Sequence, residues 1–229
     1  MTDIAKFAEV VDEAARTAAA IPQFTETGPL SVADAYAVQA ASIDRRLKRG
    51  EKLVGVKMGL TSRAKMRQVN VDEVVWGRLT DAMRLEEGAA LSRRRYVHPR
   101  IEPELAFLLK APLTGEVTAV EAMAAVAGIA PAMEIIDSRY QNFKFALPDV
   151  IADNSSSSGF VVGDWSRPDQ DFSNLGLVME VDGRPVEIGS TAAIRRDRWS
   201  RRRALRARRS GSSRRAGSSL RAARLRRIR

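Results

Sequence analysis

Between Asp3 and Ala20 apolar residues recur at Ile4, Phe7, Val10, Val11 and Ala14 with charges between them, the spacing of one face of an amphipathic helix. The loop IPQFTETGPL follows. Ser31 then stands as an N-cap with an acid, Asp34, at N3, and the spacing predicts a second helix to about Arg49 with Gly50 as its C′ residue. From Lys52 the period changes. KLVGVKMGL reads as a short strand, SRAKMRQV as one or two helical turns, and HPRIEPELAFLLK as a strand. PLTGEVTAVEAMAAVAGIAP predicts a turn and then a helix that ends before Pro131, and AMEIIDSRY is strand-like. DVIADNSSSSGFVVG passes from an apolar run through a flexible polar loop into another strand. LGLVMEVDGRPVEIG predicts a hairpin with Asp182-Gly183 as its turn. There is no internal repeat. The predicted class is α+β, with an N-terminal helical segment over 1–50 and a β-rich core over 51–194.

Charge divides the chain a second time. The net charge is +10, which by itself points to nucleic acid or anionic lipid. Residues 195–229, however, hold 16 Arg, no Lys and one acid, a net of +15, against −5 for the 194 residues before them. Arg, Ser, Ala, Leu and Gly fill 32 of those 35 positions. Such a segment is expected to be disordered, and its composition is that of an out-of-frame reading of a GC-rich gene. The lesser alternative is an Arg-rich arm that binds nucleic acid through phosphates; natural arms mix Lys with Arg, so nucleic acid is the disfavoured partner.

Hydrophobic residues make up 45% of the chain, enough for a packed interior. The absence of cysteine excludes disulfides, thiolate zinc sites and cysteine nucleophiles, and fits a reducing compartment. The N-terminus carries acids and resembles neither a signal nor a transit peptide. No run approaches the ~18 apolar residues of a spanning helix. The expected location is the cytoplasm, with no membrane partner.

Candidate chemistry centres on I-E-P-E-L. Glu102 and Glu104 are two apart on a predicted strand, so both point to one face. Side by side they repel, and a divalent cation removes the conflict. By spacing alone, such alternation favours a solvated strand face. The apolar neighbours Ile101, Leu105, Phe107, Leu108 and Leu109, with Pro103 where a regular strand would not want it, weigh against that. Glu134 opens another strand-like run. Asp137 and Arg139 are again two apart, with an ion pair and a substrate-carboxylate anchor as equal readings. Asp153-Asn154 line a site or make a turn, and the serines 155–158, Ser156 among them, offer hydroxyls to substrate oxygens or form a turn. His98, the only histidine, is read as structural, since no second imidazole exists to form a metal pair.

Four segments occur in order: G55-V-K-M-G-L-T-S62, H98-P-R-I-E-P-E104, E134-I-I-D-S-R-Y-Q-N-F-K144 and A152-D-N-S-S-S-S158. Together they resemble the hydratase/decarboxylase family of catechol meta-cleavage pathways, within the fumarylacetoacetate-hydrolase-like superfamily. The resemblance implies a fold of that type, a metal triad at Glu102, Glu104 and Glu134 holding Mg²⁺ (or Mn²⁺), and an active-site lysine at Lys57. Gly55 and Gly59 around that lysine suggest close backbone approach to a ligand. It also supports Asp137, Arg139, Asp153, Asn154 and Ser156 as substrate-binding. The implied reaction is metal-dependent decarboxylation of 2-oxo-3-hexenedioate, a dicarboxylic 2-oxo acid, to 2-hydroxypenta-2,4-dienoate. Lys57 would hydrogen-bond the developing enolate or mediate proton transfer. The alternative is hydration of that dienoate. D-S-R-Y-Q-N-F-K-F and K-M-G-L-T-S look like the decarboxylase branch, and Val75 stands before Trp76-Gly77 where hydratases of the family tend to carry an aspartate. Relatives of this kind continue beyond Ile194 with a helix and further strands, so the core here is expected to be C-terminally incomplete, which puts the activity of this particular polypeptide in question. A homo-oligomer and a pathway hydratase partner are expected where the C-terminus is intact.

Overall fold

A computed structural model of the chain describes residues 2–59 and 74–193; SRAKMRQV and the Arg-rich 195–229 lie outside the described residues. Helix α1 (Ile4–Thr17) starts at Asp3, whose carboxylate accepts the Lys6 N–H at 2.9 Å, and ends at Ala18 in the left-handed conformation. Helix α2 (Val32–Lys48) starts at Ser31, whose Oγ accepts the Asp34 N–H at 3.0 Å. It buries Ala35, Val38, Gln39, Ser42 and Ile43, the single stripe expected at these spacings. Asp12 of α1 is buried and accepts bonds from Arg45 on α2 at 2.9 Å and from Arg49, the residue that caps α2, at 2.6 Å. Burial opposes ionisation of Asp12, yet these guanidinium groups hold its pKa below the usual value.

The described strands form three sheets. β1 (Leu53–Gly59) and β2 (Val75–Thr80) pair antiparallel, with Lys57 opposite Gly77 and Gly59 opposite Val75. β3 (Arg100–Leu109), β4 (Val126–Ile136) and β5 (Ser157–Val162) form a three-stranded sheet with β4 in the middle. β6 (Gly176–Val181) and β7 (Arg184–Ser190) form the predicted hairpin. Asp182 and Gly183 both sit at positive φ, 51° and 73°, as a two-residue turn matching strand twist requires.

The expected helix ending before Pro131 is much shorter. Helix α3 (Ala119–Ala124) is launched by a Thr118/Glu121 capping box and stops at Ala125, and Pro131 lies inside β4. Alanine-rich composition favours a helix locally. The strand instead buries Val126, Ile129, Ala130, Ala132 and Ile135, and that burial outweighs propensity. The Pro131 carbonyl accepts the Gly163 N–H at 2.8 Å.

The described residues form two compact units, one within Met1–Leu85, Ala89–Glu102 and Glu134–Phe160, the other within Glu86–Gly88, Pro103–Met133 and Val161–Arg229. The first has its core in Ala8, Val11, Phe24, Val38, Tyr140 and Ile151, among others, so α1 and α2 share an interior with β2 and with helix α4 (Leu147–Ala152). Phe24 stacks on Phe7 and meets Tyr140 edge-on. In the second, Phe107 meets Phe172 edge-on, and Ile129 and Ser166 exchange backbone bonds at 3.0 and 2.8 Å.

Candidate metal centre

Strand β1 reverses the usual placement of apolar and charged residues. Val54, Val56 and Met58 are 53%, 48% and 39% exposed, whereas the Lys57 side chain between them is only 12% exposed. A sheltered amine beside an exposed apolar row is the informative departure from normal burial. Lys57 Nζ lies 3.1 Å from Glu134 Oε1 and 3.2 Å from Oε2, and Ser157 Oγ donates to Glu134 Oε1 at 2.9 Å. Glu134 is buried on the central strand β4.

Glu102 and Glu104 sit on β3 and are half-buried. One carboxylate oxygen from each of Glu102, Glu104 and Glu134 lies within 4.8 Å of the others. Three such oxygens at this separation repel unless protons or cations lie among them. The donor set is entirely oxygen, the kind that hard Mg²⁺ favours. The residues therefore fit a divalent cation.

The segments after Glu134 are pinned by internal bonds. Asp137 accepts the backbone N–H groups of Val97 at 3.0 Å and His98 at 2.5 Å, and its own N–H donates to the Ser156 carbonyl at 2.8 Å. Arg139 does not pair with Asp137. Its Nε donates to Asp153, its backbone N–H reaches the same carboxylate at 2.9 Å, and its two terminal nitrogens donate to Ser158 Oγ at 2.5 Å and the Asp153 carbonyl at 2.7 Å. Complete burial raises the pKa of Asp153 to about 6 against the opposing pull of Arg139. Asn154 Oδ1 accepts the Arg78 N–H at 2.7 Å and its Nδ2 donates to the Arg78 carbonyl at 2.8 Å, so the side chain pairs with β2 as a strand would. Ser155 Oγ donates to the Trp76 carbonyl at 2.8 Å. This close approach needs glycine at 77, where a Cβ would stand 2.4 Å from the Asn154 carbonyl oxygen.

The serines are thus not the flexible polar loop expected from composition. Ser155, Ser156 and Ser157 are buried, and Asn154, Ser155 and Ser156 all take positive φ, between 50° and 60°. Non-glycine residues in that region cost ~1–3 kcal/mol each, so surrounding contacts must hold them. Ser155, Ser157 and Ser158 each have a hydrogen-bond partner, whereas the buried Ser156 Oγ has none among the described residues. The specific contacts of Ser157 with Glu134 and of Ser158 with Arg139 were missed from sequence; the run of four serines was the only signal.

Gly59 makes room for the chain itself, since a Cβ there would meet the Val75 side chain at 3.0 Å; at Gly55 it would meet only Leu79, at 3.9 Å. A cavity of about 360 Å³ lined by Pro112, Leu113, Val117 and Glu121 contains none of the expected site residues.

Comparison with known proteins bears on these residues. The profile of the fumarylacetoacetate (FAA) hydrolase C-terminal family matches residues 49–197. A 4-oxalocrotonate decarboxylase from Pseudomonas sp is 56% identical over 191 residues, which cover 83% of this chain and 75% of that relative. A 2-hydroxypent-2,4-dienoate hydratase from Pseudomonas putida is 38% identical over 168 residues, covering 72% and 76%. Among solved structures, the 4-oxalocrotonate decarboxylase from Pseudomonas putida G7 complexed with magnesium and adipate superposes with a TM-score of 0.82 at 38% identity. The match covers 85% of this chain and 76% of that one.

Proposed function

The chain belongs to the fumarylacetoacetate hydrolase family, and from that premise we propose that it is a lyase releasing CO2 from 2-oxo-3-hexenedioate (4-oxalocrotonate). The product would be 2-hydroxypenta-2,4-dienoate. The three-carboxylate cluster beside a sheltered lysine, in a chain 56% identical to a decarboxylase of that name, carries the reading.

Glu102, Glu104 and Glu134 would hold Mg²⁺, and Mn²⁺ suits the same oxygen donors. Bound there, the ion would supply Lewis acidity toward the 2-oxo acid end of the substrate. The bond to the distal carboxylate breaks, its electron pair moves through the conjugated chain to the C2 oxygen, and a proton on that oxygen completes the product. Lys57, the sheltered amine beside Glu134, would hold the proton or hydrogen bond at that oxygen. Ser156 is the serine whose hydroxyl would meet the substrate, because burial leaves Oγ without a partner among the described residues. Asp137, Arg139, Asp153 and Asn154 would shape the substrate site by bonding one another's segments, and the turn at Asn154–Ser156 would hold Ser156 in place.

Hydration of the dienoate is the second reading, favoured by the 38% identity to a hydratase. Against it, the position before Trp76 is Val75, a buried residue packed against Gly59, which brings no carboxylate to orient an attacking water. The decarboxylation product corresponds to the substrate named for that hydratase relative. That correspondence supports a hydratase acting next, and we further propose a homo-oligomer in the cytoplasm.

The test is product identity. The chain is mixed with 2-oxo-3-hexenedioate, with and without Mg²⁺, and both CO2 and the organic product are assayed. Cation-dependent CO2 release with formation of the dienoate is expected. Conversion of supplied dienoate to 4-hydroxy-2-oxovalerate, with no CO2 from the diacid, would overturn decarboxylation.

A further inference from the structure

His98 takes no part in the chemistry above, yet its surroundings are those of a ligand group. The backbone N–H groups of Val97 and His98 fasten this bend to the Asp137 carboxylate, at the end of the strand that carries Glu134. The imidazole meets the Phe143 ring edge-on at 6.3 Å between centroids. The Arg100 guanidinium lies 3.6 Å over the centroid of the same Phe143 ring. Nε2 is buried and has no hydrogen-bond partner among the described residues. Asp137 is already engaged, since each of its carboxylate oxygens accepts a backbone N–H. A buried imidazole nitrogen left in that state calls for a group that completes it, and with the Arg100 guanidinium on the same Phe143 ring that His98 meets, an anion suits the place.

We infer that His98 Nε2 donates a hydrogen bond to the distal carboxylate of the dicarboxylic substrate, and so selects a diacid over a monoacid. The inference rests on the decarboxylase reading and adds a specificity residue to it. His98 precedes Glu102 by four residues, at most about 14 Å of chain. A six-carbon diacid, a cation–oxygen bond and two side chains bridge such a span. The selection also distinguishes the two reactions, because the dienoate taken by a hydratase has no second carboxylate for His98 to meet.

The chain contains one histidine, so its imidazole ¹⁵N resonances need no residue assignment, and their couplings to the two ring C–H protons tell Nε2 from Nδ1. Adipate and hexanoate, six-carbon acids with two carboxylates and one, are titrated into the Mg²⁺-loaded full chain, followed by NMR and calorimetry. Adipate should move the Nε2 resonance and hexanoate should not. His98→Leu should weaken adipate binding about tenfold or more, the scale of a lost hydrogen bond to a charged group, and leave hexanoate unchanged. His98→Gln, which keeps an N–H at similar reach, should retain the preference. An Nε2 resonance indifferent to bound adipate, or a His98→Leu protein that binds adipate like the wild type, overturns the inference while leaving the decarboxylase reading intact. A wild-type chain that binds neither acid and releases no CO2 sinks both. Should His98→Leu fail to fold, the resonance shift in the unaltered chain decides.

Discussion

Replacing Lys57 with methionine separates the amine's part in stability from its part in chemistry. Methionine keeps most of the side-chain volume and removes the charge. In the wild type Nζ stands 3.1 Å from Glu134 Oε1, with side chains only 12% and 7% exposed. Breaking a buried pair by removing one partner costs ~3–5 kcal/mol, because the other charge stays behind. Ser157 still donates to Glu134, so the lower end, about 3 kcal/mol, applies here. For a chain of this size each kcal/mol moves the melting temperature by ~2–4 °C, so Lys57→Met in EDTA should melt about 6–12 °C below wild type. Mg²⁺ should restore much of that loss. A cation at the three carboxylates neutralises Glu134 without a competing ammonium, so the stabilisation by Mg²⁺ should be larger in the variant than in wild type. Turnover should nevertheless vanish. The assay is a pair of melts, in EDTA and in excess Mg²⁺, run beside CO2 release on the same preparations. Wild-type turnover refutes the role of Lys57. A melting temperature equally unresponsive to Mg²⁺ in both proteins refutes the placing of the cation at Glu134.

Three further outcomes follow from the same geometry. Glu104→Gln removes one anionic donor and should raise the Mg²⁺ dissociation constant at least tenfold by calorimetry; unchanged affinity would remove Glu104 from the set. Ser156→Ala deletes a buried hydroxyl that has no partner among the described residues, so stability should shift by no more than the ~0.5 kcal/mol of a neutral substitution while KM rises; a lost fold with normal KM in the remaining native protein would show a structural hydroxyl. Burial raises Asp153 from 3.8 to about 6. Between those values the native state holds a proton that the unfolded chain has released, so this carboxyl's contribution to stability falls as pH rises through the window. Asp153→Asn should accordingly flatten the dependence of melting temperature on pH from about 4 to 6, and parallel curves for the two proteins would count against a raised Asp153.

Much of the local structure was legible because its causes are local. Ser31 and Asp34 lie within one turn, so a capped helix could be read directly and is present. Asp182-Gly183 adopts the two positive φ angles that its residue types favour. The stretch from Ala119 to Ile136 was not legible in the same way. Its alanines suit a helix as well as a tightly packed strand, and only burial between β3 and β5 decides for the strand. Strand β2 went unread, since VWGRLT is short and mixed in character. The polar segment 153–158 looked like a loop because Asp, Asn and Ser favour turns; the bonds that bury it come from Trp76, Arg78, Glu134 and Arg139, all distant in sequence.

The sequence by itself determined the caps, the hairpin turn, the same-face spacing of Glu102 and Glu104, and, through four ordered segments, the family. Tertiary structure decided which groups meet. Lys57 reaches Glu134 across 77 positions of chain, and Glu134 meets Glu102 and Glu104 in one cluster. It also decided that Arg139 takes Asp153 and not its near neighbour Asp137, and that among four serines the Ser156 hydroxyl alone is left without a partner among the described residues. Local periodicity records which face of an element is apolar, but not which other element covers it. That choice depends on burial and on satisfying polar groups over the whole fold.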